Sequence, residues 1–247
     1  MEWRDEALIL STRPLGENSK IVELLTPGEG RASGLVRGAR SKTMRALTQP
    51  GNRVAATWRG RLEDQLGTLS LEMIEARAGL VMDSAWGAFG IASMASLIAF
   101  LPERDPHPRL YAAANALIAA FALPRAAGEA GVRFELIVLD EFGYGLDLDT
   151  CAATGGREDL VYVSPRSGRA VCREAGAPYK DRMLPLPPFL RADAVCDAAA
   201  LADGFRLTGH FLSAHVAGEA NKPLPEARER FVRAVIKAVG REDAAGA

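Results

Sequence analysis

The sequence predicts an α+β protein: a small antiparallel barrel of short strands, then an α-helical body, with a β-hairpin insert inside that body. Three observations predict this. Apolar residues alternate with polar ones in short runs before residue 80, the apolar spacing becomes helical from Ser84, and composition turns irregular between Leu146 and Leu190. At 247 residues, 48% hydrophobic and 25% charged, the chain is long enough for one large domain or two to three small ones and lies outside the disordered regime.

The strand candidates are Ala7–Leu10, Ile21–Leu25, Gly34–Val36, Val54–Trp58 and Leu69–Met73, each bounded by Gly, Pro or charged residues. Five such strands suit a barrel, because closure removes the unpaired edges of an open sheet. Ser84 to Pro102 carries no charge over 19 residues and must be tested as a membrane span, but its Ala, Ser and Gly content predicts a close-packed helix instead. A second helix is expected from Leu110 to Leu123, stopped by Pro124, and a third from about Glu129 to Phe142, ended by Gly143. These three are expected to form a bundle. The insert holds a hairpin, Leu160–Val163 and Ala170–Cys172, with a Pro-rich exit at 184–188. Helices from about Ala199 to Val216 and Pro225 to Val239 follow, with Arg241–Ala247 as a frayed tail.

With 30 Lys and Arg against 31 Asp and Glu, the net charge of -1 excludes whole-molecule attraction to nucleic acid. Any such binding must come from a patch. From Arg31 to Arg61 there is no acid and there are eight basic residues: Arg31, Arg37, Arg40, Lys42, Arg45, Arg53, Arg59 and Arg61. Gly, Ser and Thr interleave with them around Arg37–Lys42, which lets backbone N–H groups and hydroxyls approach phosphate oxygens. The patch therefore reads as a backbone-tracking surface; the bland reading is a solvated face paired with acids from elsewhere. Trp58, in phase with Val54 and Ala56, reads as core rather than as a base-stacking platform. Five neutralised phosphates would give a log–log salt slope of about -3.5 on single strands.

Cys151, Cys172 and Cys196 are too few for a disulfide framework, and no signal peptide precedes MEWRDEALIL, so a reducing cytoplasm is expected. Cys151 and Cys172 flank the hairpin as zinc-ribbon cysteines do, but a structural zinc site takes two close pairs, and the residues three positions on are Thr154 and Ala175. No metal or other cofactor is assigned. His107, His210 and His215 are isolated, and the paired acids Asp140–Glu141 and Asp147/Asp149 sit at a helix end and in a loop. There is no phosphate-binding glycine loop, nucleophile elbow or His-Glu metal pair, so catalysis is not expected.

Gly16-Glu17-Asn18-Ser19, Ile21 to Pro27 and Gly34-Leu35-Val36-Arg37-Gly38-Ala39-Arg40 together resemble the start of the bacterial RecO family, DNA repair proteins of the RecF pathway. Arg133-Phe134-Glu135-Leu136, Phe142-Gly143-Tyr144-Gly145-Leu146 and the Cys151–Gly155 corner extend the resemblance over nearly the whole chain. It implies an OB-fold at 1–80, an α-helical domain at 81–145 with 191–247, and a degenerate zinc-ribbon-like insert at 146–190. Some members carry four zinc cysteines; this chain retains two. The resemblance further implies a recombination mediator that is not an enzyme. Such a protein binds single- and double-stranded DNA, anneals complementary strands and, with RecR, helps load RecA onto DNA coated by single-strand binding protein. Arg37 and Arg40 become DNA contacts, in agreement with the charge pattern. For the acidic tail of single-strand binding protein, Arg125 and Arg133 are the candidate carboxylate contacts. No membrane partner is implied. The alternative is a scaffold that binds only proteins, its basic patch meeting an acidic partner.

Overall fold

The computed structural model describes residues 1–61, 66–192 and 194–246. The structure is mixed α+β, and its contacts divide the chain into two compact units, Met1–Phe121 and Ala122–Ala247. Of the expected parts, residues 62–65, Asp193 and Ala247 lie outside the described residues.

In the first unit, β1 (Glu2–Leu15), β2 (Ser19–Thr26), β3 (Gly30–Arg37), β4 (Arg53–Arg59) and β5 (Gly67–Glu75) close into a barrel in the order β1-β2-β3-β5-β4. Every pairing is antiparallel except that of β3 with β5. All five expected strands are present. β1 is far longer than Ala7–Leu10 because it serves two neighbours: Glu2–Leu8 pair with β4 and Leu8–Leu15 with β2, with a register irregularity between Ile9 and Ser11. Ala7, Ile9, Val22, Leu24, Val54 and Trp58 face the interior.

Trp58 is fully buried, donates its indole N–H to the Ser33 carbonyl at 3.2 Å, and stacks on Trp3 at 6.2 Å. The Arg104 guanidinium lies over its ring at 4.4 Å. Trp58 is therefore core, and no base can reach it in this fold. The barrel closes around the ring only because glycine stands next to it: a Cβ on Gly67 would lie 2.2 Å from Trp58.

The six-residue helix α1 (Lys42–Leu47) lies between β3 and β4, followed after the barrel by α2 (Ala78–Met82), α3 (Ala85–Ile98) and α4 (Pro108–Ala120). Ser84 caps α3 by accepting the Gly87 N–H at 3.0 Å, and Gly87, Gly90 and Ser93 are buried, as a close-packed helix requires. Among the described residues no helix is long and apolar enough to cross a membrane. Leu8, Leu10, Ile21 and Leu25 are also buried, although they alternate with the interior set. The strands β1 and β2 are thus apolar on both faces, and α3 and α4 pack against them. That is why these two helices fall in the unit of the barrel, whereas the third member of the expected bundle falls in the second unit.

That third helix, α5 (Pro124–Glu141), begins at the proline expected only to end its predecessor. Proline at the first helical position lacks an N–H that would have had no intrahelical partner anyway. The insert follows: β6 (Leu160–Val163), β7 (Ala170–Cys172), α6 (Arg173–Gly176) and β8 (Leu184–Pro185), with sheet order β7-β6-β8. The hairpin is as expected. β8 falls in the Pro-rich exit, at the sheet edge, where proline's missing N–H costs no ladder bond.

α7 (Ala198–Phe211) runs into a π-helical stretch, Leu212–Ala217, and α8 (Glu226–Gly246) completes the unit by packing with α5 and α7. Buried Glu135 joins these three helices. It accepts two hydrogen bonds at 2.8 Å from Arg228, which also donates to the Phe205 carbonyl. Arg241–Gly246 are helical rather than frayed, because Asp243 accepts from Arg125 at 2.6 Å and from the Ala198 N–H at 2.9 Å.

Candidate nucleic-acid interface

The structure sorts the eight basic residues of the acid-free window into three groups. Arg37, Arg40, Lys42 and Arg45 are exposed on one short segment: Arg37 ends β3, Arg40 lies in the loop that follows, and Lys42 and Arg45 are on α1. That segment is held firmly. Gly38 turns it with φ +71, a backbone conformation that glycine adopts without a Cβ penalty. The Ala39 N–H donates to the Asn18 carbonyl at 3.1 Å, tying the loop to the β1–β2 turn. Ser41 caps α1 by accepting the Met44 N–H at 3.1 Å, and Leu47 anchors the helix in the barrel core. Asn52 secures its far end, donating to the Ala46 and Leu47 carbonyls and accepting the N–H groups of Arg77 and Ala78. A rigid scaffold therefore presents four cations to solvent. The carboxylate of Glu17 faces Arg40 at 3.9 Å, with both side chains mostly exposed, a contact worth little.

Arg59 and Arg61 form the second group, also exposed. Thr68 of β5 pairs with Leu35 of β3 on one side and Arg59 of β4 on the other, so these three share the barrel's outer face. Two strand spacings, about 10 Å, separate Leu35 from Arg59. Arg59 holds Glu2 at 2.9 Å, and this hydrogen-bonded pair lowers the Glu2 pKa and raises that of Arg59.

Arg31 and Arg53, the third group, are occupied. Arg31, only 15% exposed, pairs with Glu23 at 2.8 Å and Glu103 at 3.3 Å and donates to the Leu101 carbonyl at 3.1 Å. Arg53 lies between Glu6 at 3.1 Å and Glu75 at 3.3 Å. The eight residues thus do not form one surface: four are exposed along the β3–α1 segment, two lie across the outer sheet face, and two brace the fold. Arg13 of β1 escaped the sequence reading: it is exposed and pairs with Ile21, on the face that carries the Ser19–Arg37 pair. Lys20 pairs instead with core Val36 and so lies on the opposite face. The hairpin register was the available signal for Arg13.

In the second unit, Arg125 is committed to Asp243 at 2.6 Å and to the Cys196 carbonyl. Arg133, half exposed, holds Glu129 at 2.9 Å and the Phe189 carbonyl at 2.6 Å. Asp147 is occupied by donors of its own loop. It accepts the N–H groups of Asp149 and Thr150 and the Thr150 hydroxyl, contacts that with Arg169 hold its carboxyl below the usual range. His215 stacks on Tyr144 at 4.3 Å, and His210 faces the Pro165 carbonyl. Zinc does not fit the insert. Thr154 directs its hydroxyl at the Cys151 sulfur, and among the described residues no three His, Cys, Asp or Glu side chains are grouped to hold a metal ion.

A closed barrel with an exposed basic segment, followed by a helical unit with a hairpin insert, defines an α+β protein. The comparisons give that class a family. The models for the recombination protein O N terminal and C terminal regions match residues 1–77 and 88–224. DNA repair protein RecO of Mesorhizobium japonicum is 52% identical over 96% of this chain and 94% of its own. Those of Rhizobium rhizogenes and Agrobacterium fabrum are each 50% identical, covering 97% and 98% of this chain and 93% and 96% of their own. The chain belongs to the RecO family of DNA repair proteins.

Proposed function

We propose that this chain is a non-enzymatic recombination mediator of the RecF pathway that grips the DNA backbone through the β3–α1 loop. Arg37, Arg40, Lys42 and Arg45 make the primary contacts, and Arg59 and Arg61 extend the track. The observation that carries this reading is the exposed β3–α1 segment, with four cations on a braced scaffold. We infer that the barrel is an OB-fold, a reading supported by its strand order and parallel β3–β5 pairing. Loops of that fold are a common seat for oligonucleotides. Single and double strands both present phosphates to such a loop, and two complementary strands on one neutralised surface repel each other less, which favours annealing. The proposed division of labour is 1–80 for DNA, the helices of 81–145 and 191–247, although α3 and α4 fall in the barrel unit, for protein partners, and 146–190 as a zinc-ribbon-like insert without its metal. The partners are RecR, for RecA loading, and the tail of single-strand binding protein. Arg133 is the better contact for that tail, being half exposed, while Arg125 is bound to Asp243.

The test is a mobility-shift titration of Arg37→Glu/Arg40→Glu on random single strands at several salt concentrations. Two lost phosphate contacts should make the log–log slope shallower by about 1.4. Unchanged affinity and slope overturn the reading. The protein-only scaffold draws support from the small size of the free patch, and it is the conclusion if the wild-type chain shows no salt-dependent DNA binding.

A further inference from the structure

We propose that Cys151 and Cys172 are a redox dithiol, which closes to an intramolecular disulfide when a peroxide-class oxidant reaches the insert. A metal does not account for the pair, because the donor set stops at two sulfurs. Yet Cys151 is not an inert buried thiol. Its sulfur accepts the Cys172 N–H at 3.3 Å, and the Thr154 hydroxyl and the amides of Thr154 and Ala153 also bond to it. The surrounding loop is pinned: Cys151 donates its N–H to the Gly156 carbonyl at 2.7 Å, Gly155 to the Cys151 carbonyl at 2.8 Å, and Ala152 to Ala170 of β7 at 2.8 Å.

Burial pushes the Cys151 thiol up, but those donors outweigh it and bring the group down to about 6. Donors gathered on one sulfur are the setting of a reactive rather than a merely packed cysteine. Cys196 makes the contrast: burial, unopposed by such donors, pushes it up to about 12. The Cys172 sulfur is three covalent bonds from the amide that touches Cys151. It is partly exposed and borders an open cleft of about 450 Å³ shared with Arg157, Asp159 and Glu174.

Access and nucleophilicity are therefore divided between the two residues. The Cys172 sulfur attacks the peroxide, the O–O bond breaks and the thiol proton leaves with the departing oxygen, giving a sulfenic acid and water. Cys151 thiolate then attacks the Cys172 sulfur, the S–O bond breaks and hydroxide leaves. Overall two thiols and one hydrogen peroxide give one disulfide and two waters. Closure ties the pinned Cys151 loop covalently to the end of β7.

The experiment uses the full chain and hydrogen peroxide, followed by thiol titration and peptide mapping by mass spectrometry. The expected result is loss of two of the three thiols, a linked pair of peptides containing Cys151 and Cys172, free Cys196, and full reversal by dithiothreitol. Cys151→Ser removes the resolving sulfur, so Cys172 should then be trapped by dimedone as sulfenic acid. The proposal is overturned by three reduced thiols after treatment, by a link through Cys196 or between chains, or by stoichiometric zinc in the purified protein. The wild-type measurement requires no variant to fold.

Discussion

Arg37 and Arg228 are the same side chain in opposite uses. In the barrel unit, Arg37 and its neighbours are exposed, with no strong partner among the described residues, on a backbone fixed by Gly38, Ser41 and Asn52. In the helical unit, Arg228 is buried on Glu135 and joins three helices through its five-donor fork. What distinguishes a binding residue from a structural one is therefore the location of the nearest carboxylate. Arg31 shows this within the basic window itself: its partners, Glu23 and Glu103, lie before and far beyond the segment that contains it.

The comparison is broken most forcefully at its buried end. Arg228→Met leaves the Glu135 carboxylate buried without a counter-charge, a change that costs about 3–5 kcal/mol. Urea denaturation should place the loss in the helical unit. The double change Glu135→Leu/Arg228→Met should recover much of it, because the desolvated charge is then gone as well. An equal loss in single and double variants would mean that the pair acts through shape alone.

The exposed end should respond in binding rather than in stability. Arg37→Glu/Arg40→Glu is expected to lower affinity for single strands on the order of 100-fold at low salt, with an unchanged thermal midpoint. Arg31→Ala should do the reverse. It removes the partner of two carboxylates and a carbonyl from a mostly buried site, which is expected to cost about 1–3 kcal/mol by thermal denaturation. Its DNA affinity should match the wild type at temperatures where both are folded. If Arg31→Ala instead weakened DNA binding without loss of stability, the sorting of the window into free and occupied cations would be wrong.

Much of this fold was legible in the sequence, and the failures share a cause. Alternation located all five strands, since the barrel interior imposes a period of two on Val54, Ala56 and Trp58. The proline, glycine and spacing signals located α3, α4 and α7 to within a few residues, while the short helices α1, α2 and α6 were not foreseen. What escaped depended on partners distant in sequence. β1 outruns its apolar run because Arg4, Asp5 and Glu6 face β4 and gain their ladder there. The C-terminal tail looked frayed because its anchor, Arg125, lies 118 residues away from Asp243. The loop half of the candidate interface was visible for the complementary reason: its charges, cap and turn glycine are all local. Arg31, Arg53 and Arg59 could be sorted only once strand pairing had brought Glu2, Glu6, Glu23 and Glu75 beside them.

Arg59 is the intermediate case and gives the smallest predicted effect. It is exposed, as the loop residues are, yet it holds Glu2 at 2.9 Å, as the bracing residues hold their acids. Thr68 places it on the outer face with Leu35, so a strand leaving the loop across β5 reaches it next. A phosphate must then compete with Glu2 for the guanidinium. Arg59→Ala should therefore make the salt slope shallower by at most about 0.7, the value for one single-strand phosphate. Glu2→Gln should do the opposite, releasing the guanidinium and steepening the slope. If both substitutions leave the slope unchanged, the track ends at the loop, and the second group of cations belongs with the bracing arginines.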